Sequence, residues 1–392
     1  MKLEPFEMER MQSTWENRVA HNLSESGVHP MSGEDILTTP EDRAALLREP
    51  LVYIQSNGTE ELRSAVARLH PGATAENVTV TNGTAEANFI AAWRLVEPGD
   101  EVVLILPNYM QLWGIVRAFG ATVVPARLRE ETGWRLDGDE LHRAVGPRTR
   151  LIAVCNPNNP TGAILSEAER KEIVAAAGRH GAWILADEVY RGAELSGATS
   201  PTFWGRHDRV LVTASLSKAF GLPGLRTGWI VGPPKTVERL CSYHDYLTLT
   251  PTYLSNRFAE IVMEPSRREA ILERTRGILR ANLPRLERWL GAHGDVLDCI
   301  PPLAGAIALL RYDLPIGSVA LFDRLRREQS VLITPGAHFG IGRYIRIGYG
   351  DDAGRLEQGL ARIDTTLAEL RRRTTASRRR APRRRPRQAA AE

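Results

Sequence analysis

Lysine is scarce in this chain: four of its 51 basic residues are lysines, and the rest are arginines. Cysteine is scarcer, with only Cys155, Cys241 and Cys299. Their spacing matches neither a metal knuckle nor a disulfide framework, so the expectation is a reduced, cytoplasmic protein with no metal. Apolar runs are short and broken by charge, which leaves no membrane span. The opening MKLEPFEMER has no apolar signal-peptide core. Acidic excess is hidden rather than absent. The formal charge is +4, but residues 371–392 hold ten arginines and one glutamate. Without them the body has 41 Lys+Arg against 46 Asp+Glu, about −5, which gives no sign of nucleic-acid binding. That Arg-, Pro- and Ala-rich tail has no apolar periodicity and is expected to be disordered, at most a weak polyanion binder.

What is present is enough for a large core. With 392 residues and 43% hydrophobic content, the chain should form two or more domains. Short β-branched runs alternate with amphipathic stretches. Candidate strands are 78–81, 101–106, 122–125, 150–154, 183–186, 210–213 and 228–231; 85–95 and 166–180 are candidate helices between them. The pattern predicts an α/β fold with a mostly parallel, seven-stranded sheet flanked by helices. Beyond residue 265, long helical patterns surround a short strand pair (306–311 and 344–349), a smaller α+β domain. In sheets of this kind, ligands gather at the carboxyl ends of the strands.

The unusual chemistry follows those strand ends. In VTVTNGTAEANF (78–89), Gly83 turns the chain and Thr84 leads a helix whose free N–H groups can cradle a phosphate, although an Asn-Gly turn and a Thr cap are also common. In TASLSKAFGLPGLRTGW (213–229), Ser215, Ser217 and Arg226 add hydroxyl donors and a bidentate cation. Asp187 in ILADEVYRG ends a buried-looking strand, where a carboxylate needs a cationic or N–H partner or serves as a helix cap. Tyr190 lies three residues on. The rigid NPNNPTG (156–162) presents Asn159 in a fixed orientation. A phosphate, a ring-nitrogen cation, a phenolic oxygen and an aldehyde would satisfy these groups together, the aldehyde meeting the amine of Lys218. The implied ligand is pyridoxal 5′-phosphate (PLP), held as a Schiff base on Lys218, whose amine is expected to titrate low in a cationic, partly desolvated site.

With NPNNPTG, DEVYRG, SLSKAFGLPGLRTGW and YIRIGYG in this order, the chain resembles the class I/II aminotransferases of PLP fold type I over roughly residues 20–370. The resemblance implies Lys218 as the Schiff-base lysine and Asp187 as partner of the pyridine nitrogen. It places Asn159 and Tyr190 on the phenolic oxygen, with Tyr109 stacked on the ring. Gly83, Thr84, Ser215 and Arg226 would hold the phosphate, and Arg346 the substrate α-carboxylate. Tyr53 would reach the phosphate of a neighbouring subunit, so a homodimer with shared sites is expected. The implied division is an N-terminal segment 1–44 covering the site, a large PLP domain 45–264, a small domain 265–370 and the tail 371–392.

Two stretches, AHNLSESGVHPMS (20–32) and HDYLTLTPTYLSN (244–256), are similar to those of capreomycidine synthase-like enzymes of antibiotic pathways. That likeness implies arginine or hydroxyarginine as substrate, β-elimination and ring closure by the guanidine. Carboxylates are then needed near the site. Glu16 and Glu25 are candidates, with Ser26 and Gly27 beside them, and Asp245 is a third. His29 is a candidate proton-transfer group. Ordinary transamination with a 2-oxo acid and oxygen-dependent oxidation of arginine stand as alternatives. A DNA-bound regulator built on this fold is disfavoured, because no helix-turn-helix segment accompanies it.

Overall fold

The computed structural model describes residues 2–380. Its centre is an eight-stranded sheet: β1 (Val78–Thr81), β2 (Glu101–Leu106), β3 (Thr122–Arg129), β4 (Arg135–Leu136), β5 (Thr149–Cys155), β6 (Trp183–Asp187), β7 (Val210–Ser215) and β8 (Gly228–Val231). The spatial order is β1-β8-β7-β6-β5-β2-β3-β4. The pairs β3–β2, β2–β5, β5–β6 and β6–β7 are parallel, whereas β8 and β4 run antiparallel to their neighbours. Seven strands were predicted. The eighth, β4, is a two-residue strand, too short to carry a period-2 signal.

Strands covered on both faces read as near-continuous apolar runs, as 102–106 of β2, 151–155 of β5 and 183–186 of β6 do. Val103 and Ile105 join Ile152, Ile184 and Val212 in the core on one face. Val102 and Leu104 join Leu151, Leu185 and Leu211 on the other. Helix α1 (Glu7–Trp15) stands at the N-terminus, and α2 (Thr84–Leu95) follows β1.

After helix α3 (Pro265–Gly291) comes a second sheet of β9 (Leu297–Cys299), β10 (Ile307–Tyr312), β11 (Thr334–Pro335) and β12 (Tyr344–Gly348), ordered β9-β10-β12-β11 and antiparallel throughout. A strand pair was predicted, and β9 and β11 lengthen it to four. Helix α4 (Ala353–Arg380) closes the described chain. It runs through 371–380, the first ten residues of the stretch expected to be disordered. Arginine is a good helix former, so the helix carries on where apolar periodicity ends. The rest of that tail, 381–392, lies outside the described residues.

The N-terminal segment is fastened to the second sheet. His21–Asn22 pairs in parallel with Val331–Leu332, and the Gly348 N–H donates to Leu23 O at 2.8 Å. Further on, the His29 N–H donates to Gly350 O at 2.8 Å. Among the described residues, no helix is long and apolar enough to cross a membrane.

Candidate active site

A cavity of about 370 Å³ opens at the carboxyl ends of the large sheet. Thr84, Tyr109, Asn159, Asp187, Tyr190, Ser215, Ser217, Lys218, Arg226 and Arg346 line it, as do Glu16, Glu25 and Ser26 from the N-terminal segment.

One end of the cavity is built for an anion. Gly83 has φ +88°, and a Cβ there would collide with the Arg226 guanidinium. A Cβ on Gly228 would lie 2.5 Å from the Gly83 carbonyl carbon. The two glycines therefore let β8, the Gly83 turn and Arg226 close on one point. There the first turn of α2 directs its free N–H groups, and the buried Thr84 hydroxyl has no partner within the chain. Arg226, itself left-handed at φ +50°, is anchored by an Nη1 bond to Pro223 O at 3.0 Å.

At the opposite wall of the sheet, Asp187 ends β6. Its Oδ2 accepts from Asn88 Nδ2 at 3.1 Å and its Oδ1 from the Val189 N–H at 3.1 Å. Burial pushes the carboxyl up to about 6, and those two hydrogen bonds only partly offset it. A cationic N–H facing Asp187 would restore the anion. Asn159 is held by its loop: Asn158 Oδ1 accepts from Thr161 Oγ1 at 2.7 Å, and Asn158 Nδ2 donates to Pro107 O at 3.1 Å. The Asn159 side-chain oxygen accepts from Arg346 Nη1 at 2.9 Å.

Arg346, on β12, is 1% exposed. Its Nη2 donates to Ser24 O at 2.6 Å and to Thr334 Oγ1 at 3.2 Å, while Nε has no partner. Burial holds its guanidinium below the ordinary range, with Tyr190 and Glu25 opposing that shift. Lys218 corrects an expectation. Burial does disfavour its ammonium, but Glu25 Oε1 lies 2.7 Å from Nζ, and the amine titrates above a normal lysine rather than below.

Some predicted residues fall outside the cavity lining. Gly83 lies just behind Arg226, and Gly27 supplies an N–H to Glu25 Oε1 at 2.8 Å. Tyr53 is 82% exposed, away from the site of its own chain. Asp245 caps the C-terminus of helix Pro234–His244 and is exposed, so it contributes no carboxylate here. His29 is not in the lining, and its Nδ1 is buried without a partner.

Sequence reasoning missed Glu9, Gln12 and Asn88. Glu9, Gln12 and Glu16 recur at helical spacing along and just past α1 and all line the cavity. Asn88 sits on the buried face of α2 among Ala87, Ile90 and Ala91, and a polar side chain there signals a buried partner. Tyr109 donates to Glu9 Oε1 at 2.8 Å, and burial with that carboxylate pushes its phenol well up.

A phosphate cradle, a buried carboxylate, a lysine and a buried arginine at the carboxyl edge of such a sheet define a PLP-dependent enzyme of the aminotransferase fold. The chain belongs to the class I and II aminotransferase family, whose model matches residues 34–363. It is similar to a capreomycidine synthase of Streptomyces vinaceus, 36% identical over 88% of this chain and 89% of that protein. An arginine–pyruvate transaminase of Pseudomonas aeruginosa is 31% identical over 81% of this chain and 83% of its own length. The crystal structure of a PLP-dependent cyclase, OrfR, superposes with a TM-score of 0.82 at 27% identity, covering 95% of this chain and 98% of that one.

Proposed function

We propose that this enzyme takes a cationic, arginine-type amino acid bearing a β-hydroxyl and converts it by elimination and cyclisation, as part of natural-product biosynthesis. The observation that carries the reading is the crowding of three carboxylates, Glu9, Glu16 and Glu25, around the cavity that holds Lys218 and Arg346. Burial and the charges of Glu25 and Glu9 push the Glu16 carboxyl up. A guanidinium between Glu9 and Glu16 would relieve that repulsion and supply bidentate partners.

The residues fit PLP. Gly83, Thr84, Ser215, Ser217 and Arg226 would hold its phosphate, Asp187 its ring nitrogen, Asn159 and Tyr190 its phenolic oxygen, and Tyr109 its ring face. When bound, PLP supplies an aldehyde for amino groups and a cationic ring that takes up the electrons of a broken bond. Arg346, steadied by Asn159, orients the substrate α-carboxylate so that the Cα–H bond faces Lys218. Lys218 Nζ takes the Cα proton as general base. Helix α1, bearing Glu9, Gln12 and Glu16, excludes water from that face of the cavity.

In this reading residues 45–264 form the cofactor domain, with 1–44 and 265–370 as the cover. A cytoplasmic homodimer is part of the proposal. The exposed apolar residues Leu47, Leu51, Val52 and Tyr53 would be buried against a second copy, bringing Tyr53 to its phosphate.

The experiment is a product analysis with 3-hydroxyarginine, arginine and neutral amino acids. A product one water lighter from 3-hydroxyarginine supports the cyclase. The transaminase relative favours a second reading, amino transfer from arginine to a 2-oxo acid. Consumption of pyruvate with arginine, and no dehydrated product, would replace the first reading with the second.

A further inference from the structure

Lys218 and Glu25 come from opposite ends of the fold. The lysine follows β7 of the large sheet, and the glutamate belongs to the N-terminal segment fastened to the second sheet. Glu25 Oε1 accepts three hydrogen bonds, from the Ser26 N–H at 2.9 Å, the Gly27 N–H at 2.8 Å and Lys218 Nζ at 2.7 Å. Its backbone is equally constrained. Arg346 Nη2 grips Ser24 O, Gly348 N–H grips Leu23 O, and a Cβ on Gly348 would collide with the Glu25 carbonyl. On the other side, the space beside Gly27 is bounded by Lys218, whose Cδ would lie 3.5 Å from a Cβ placed there. The carboxylate is therefore placed by main chain, not by the rotameric freedom of one side chain.

We propose that Glu25 is a positioning residue for Lys218: its carboxylate, 2.7 Å from Nζ, is the counter-ion of the ammonium formed when the amine takes a proton, and it fixes where that proton is held. The inference deepens the cyclase reading and rests on Lys218 being the proton-transferring lysine.

The groups facing Lys218 set the balance. Glu25 and Tyr190 favour the ammonium, Arg346 opposes it, Glu16 lies close enough to feel the lysine charge, and Asp187 lines the same cavity. Burial disfavours the ammonium, and Glu25 together with Tyr190 outweighs it. Glu25 is in turn held down to about 2, by Lys218 first and then by the Gly27 N–H and Arg346, against the opposing push of burial. It therefore stays anionic across the working pH range.

The consequence is chemical. When Lys218 takes the Cα proton, the new N–H bond forms beside a carboxylate, which strengthens the base. The electron pair of the broken Cα–H bond becomes the Cα–Cβ double bond as the Cβ–O bond breaks. Hydroxide leaves with the electron pair of the Cβ–O bond and takes the proton from Nζ, so water departs and the amine is restored. A proton pinned on the Glu25 side is available to the leaving hydroxyl and less available for return to carbon.

The test is competitive labelling of the full-length apo chain with acetic anhydride across alkaline pH, read by mass spectrometry of the Lys218 peptide with Lys235 as internal reference. The wild type is compared with Glu25→Gln and Glu25→Asp. In Glu25→Gln, the labelling curve of Lys218 should move down by about one pH unit, making Lys218 about tenfold more reactive at fixed pH, with Lys235 unchanged. Glu25→Asp should restore part of the shift, and it carries the test alone if the glutamine variant does not fold. Coincident curves for wild type and variants overturn the proposal. Borohydride reduction of the PLP-loaded enzyme and mapping of the fixed cofactor separates the two failures. A label on another lysine defeats the assignment of Lys218 itself, whereas a label on Lys218 with coincident curves defeats only the role of Glu25.

Discussion

Asn88 on α2 donates to Asp187 Oδ2 at 3.1 Å while its own carbonyl accepts from Thr213 Oγ1 at 2.8 Å, so one amide ties a helix to two neighbouring strands at the floor of the cavity. Removing it leaves a buried carboxylate with fewer donors. Asn88→Ala should raise the Asp187 pKa further and weaken PLP binding about tenfold, equivalent to about 1.4 kcal/mol. Equilibrium binding to the apo chain measures this directly.

The Gly83 turn gives a steric prediction. With φ +88° and the Arg226 guanidinium where a methyl would sit, Gly83→Ala must displace the arginine or the turn. The expected result is a stability loss of about 1–3 kcal/mol from backbone strain, and weaker PLP retention than in the conservative variant Ser217→Ala. Denaturant unfolding and cofactor content after dialysis read the two effects separately.

Asp187 and Glu188 are adjacent and buried, and burial pushes them up to about 6 and about 7. Glu188 keeps Oε1 paired with the Phe203 N–H at 2.7 Å and Thr202 Oγ1 at 2.9 Å, but Oε2 has no hydrogen-bond partner. A carboxyl that titrates higher in the folded than in the unfolded chain makes stability fall as pH rises between the two values. For Glu188 that window runs from 4.5 to about 7. Urea midpoints of the apo chain at about pH 5 and about pH 8 should therefore differ less in Glu188→Gln than in wild type. An equal fall in both would rule out Glu188 as the source.

Substrate selection should divide between the two ends of the cavity. Arg346→Lys removes a bidentate, buried donor and should cost about 100-fold in kcat/KM for every amino acid tested. Glu16→Gln should raise KM for arginine-type substrates about tenfold and leave neutral amino acids unaffected. Steady-state kinetics on a matched cationic and neutral pair distinguishes the two patterns.

Much of this was legible in the sequence because the cavity sits at strand ends, and strand ends are local signals. β1, β2 and β8 begin and end where the β-branched runs do. The candidate strand 122–125 stops short of β3, which continues to Arg129 with Pro125 in register opposite Leu104 and β4 pairing beyond it. What was not legible depends on distant partners. Tyr109 and Glu9 are 100 residues apart, Asn88 and Asp187 are 99 apart, and neither pair shares a pattern. The titration of Lys218 was read with the wrong sign for the same reason. Local sequence indicated a cationic, desolvated pocket, and the carboxylate that reverses its effect lies 193 residues away.

The bond from Arg346 to the Ser24 carbonyl spans 322 residues. A chain still emerging from the ribosome can complete the large sheet and its phosphate cradle by Val231, but the wall that meets the substrate must wait for the last strand to capture the first segment. The order of synthesis thus places every residue of the phosphate cradle ahead of the strand that completes the substrate wall.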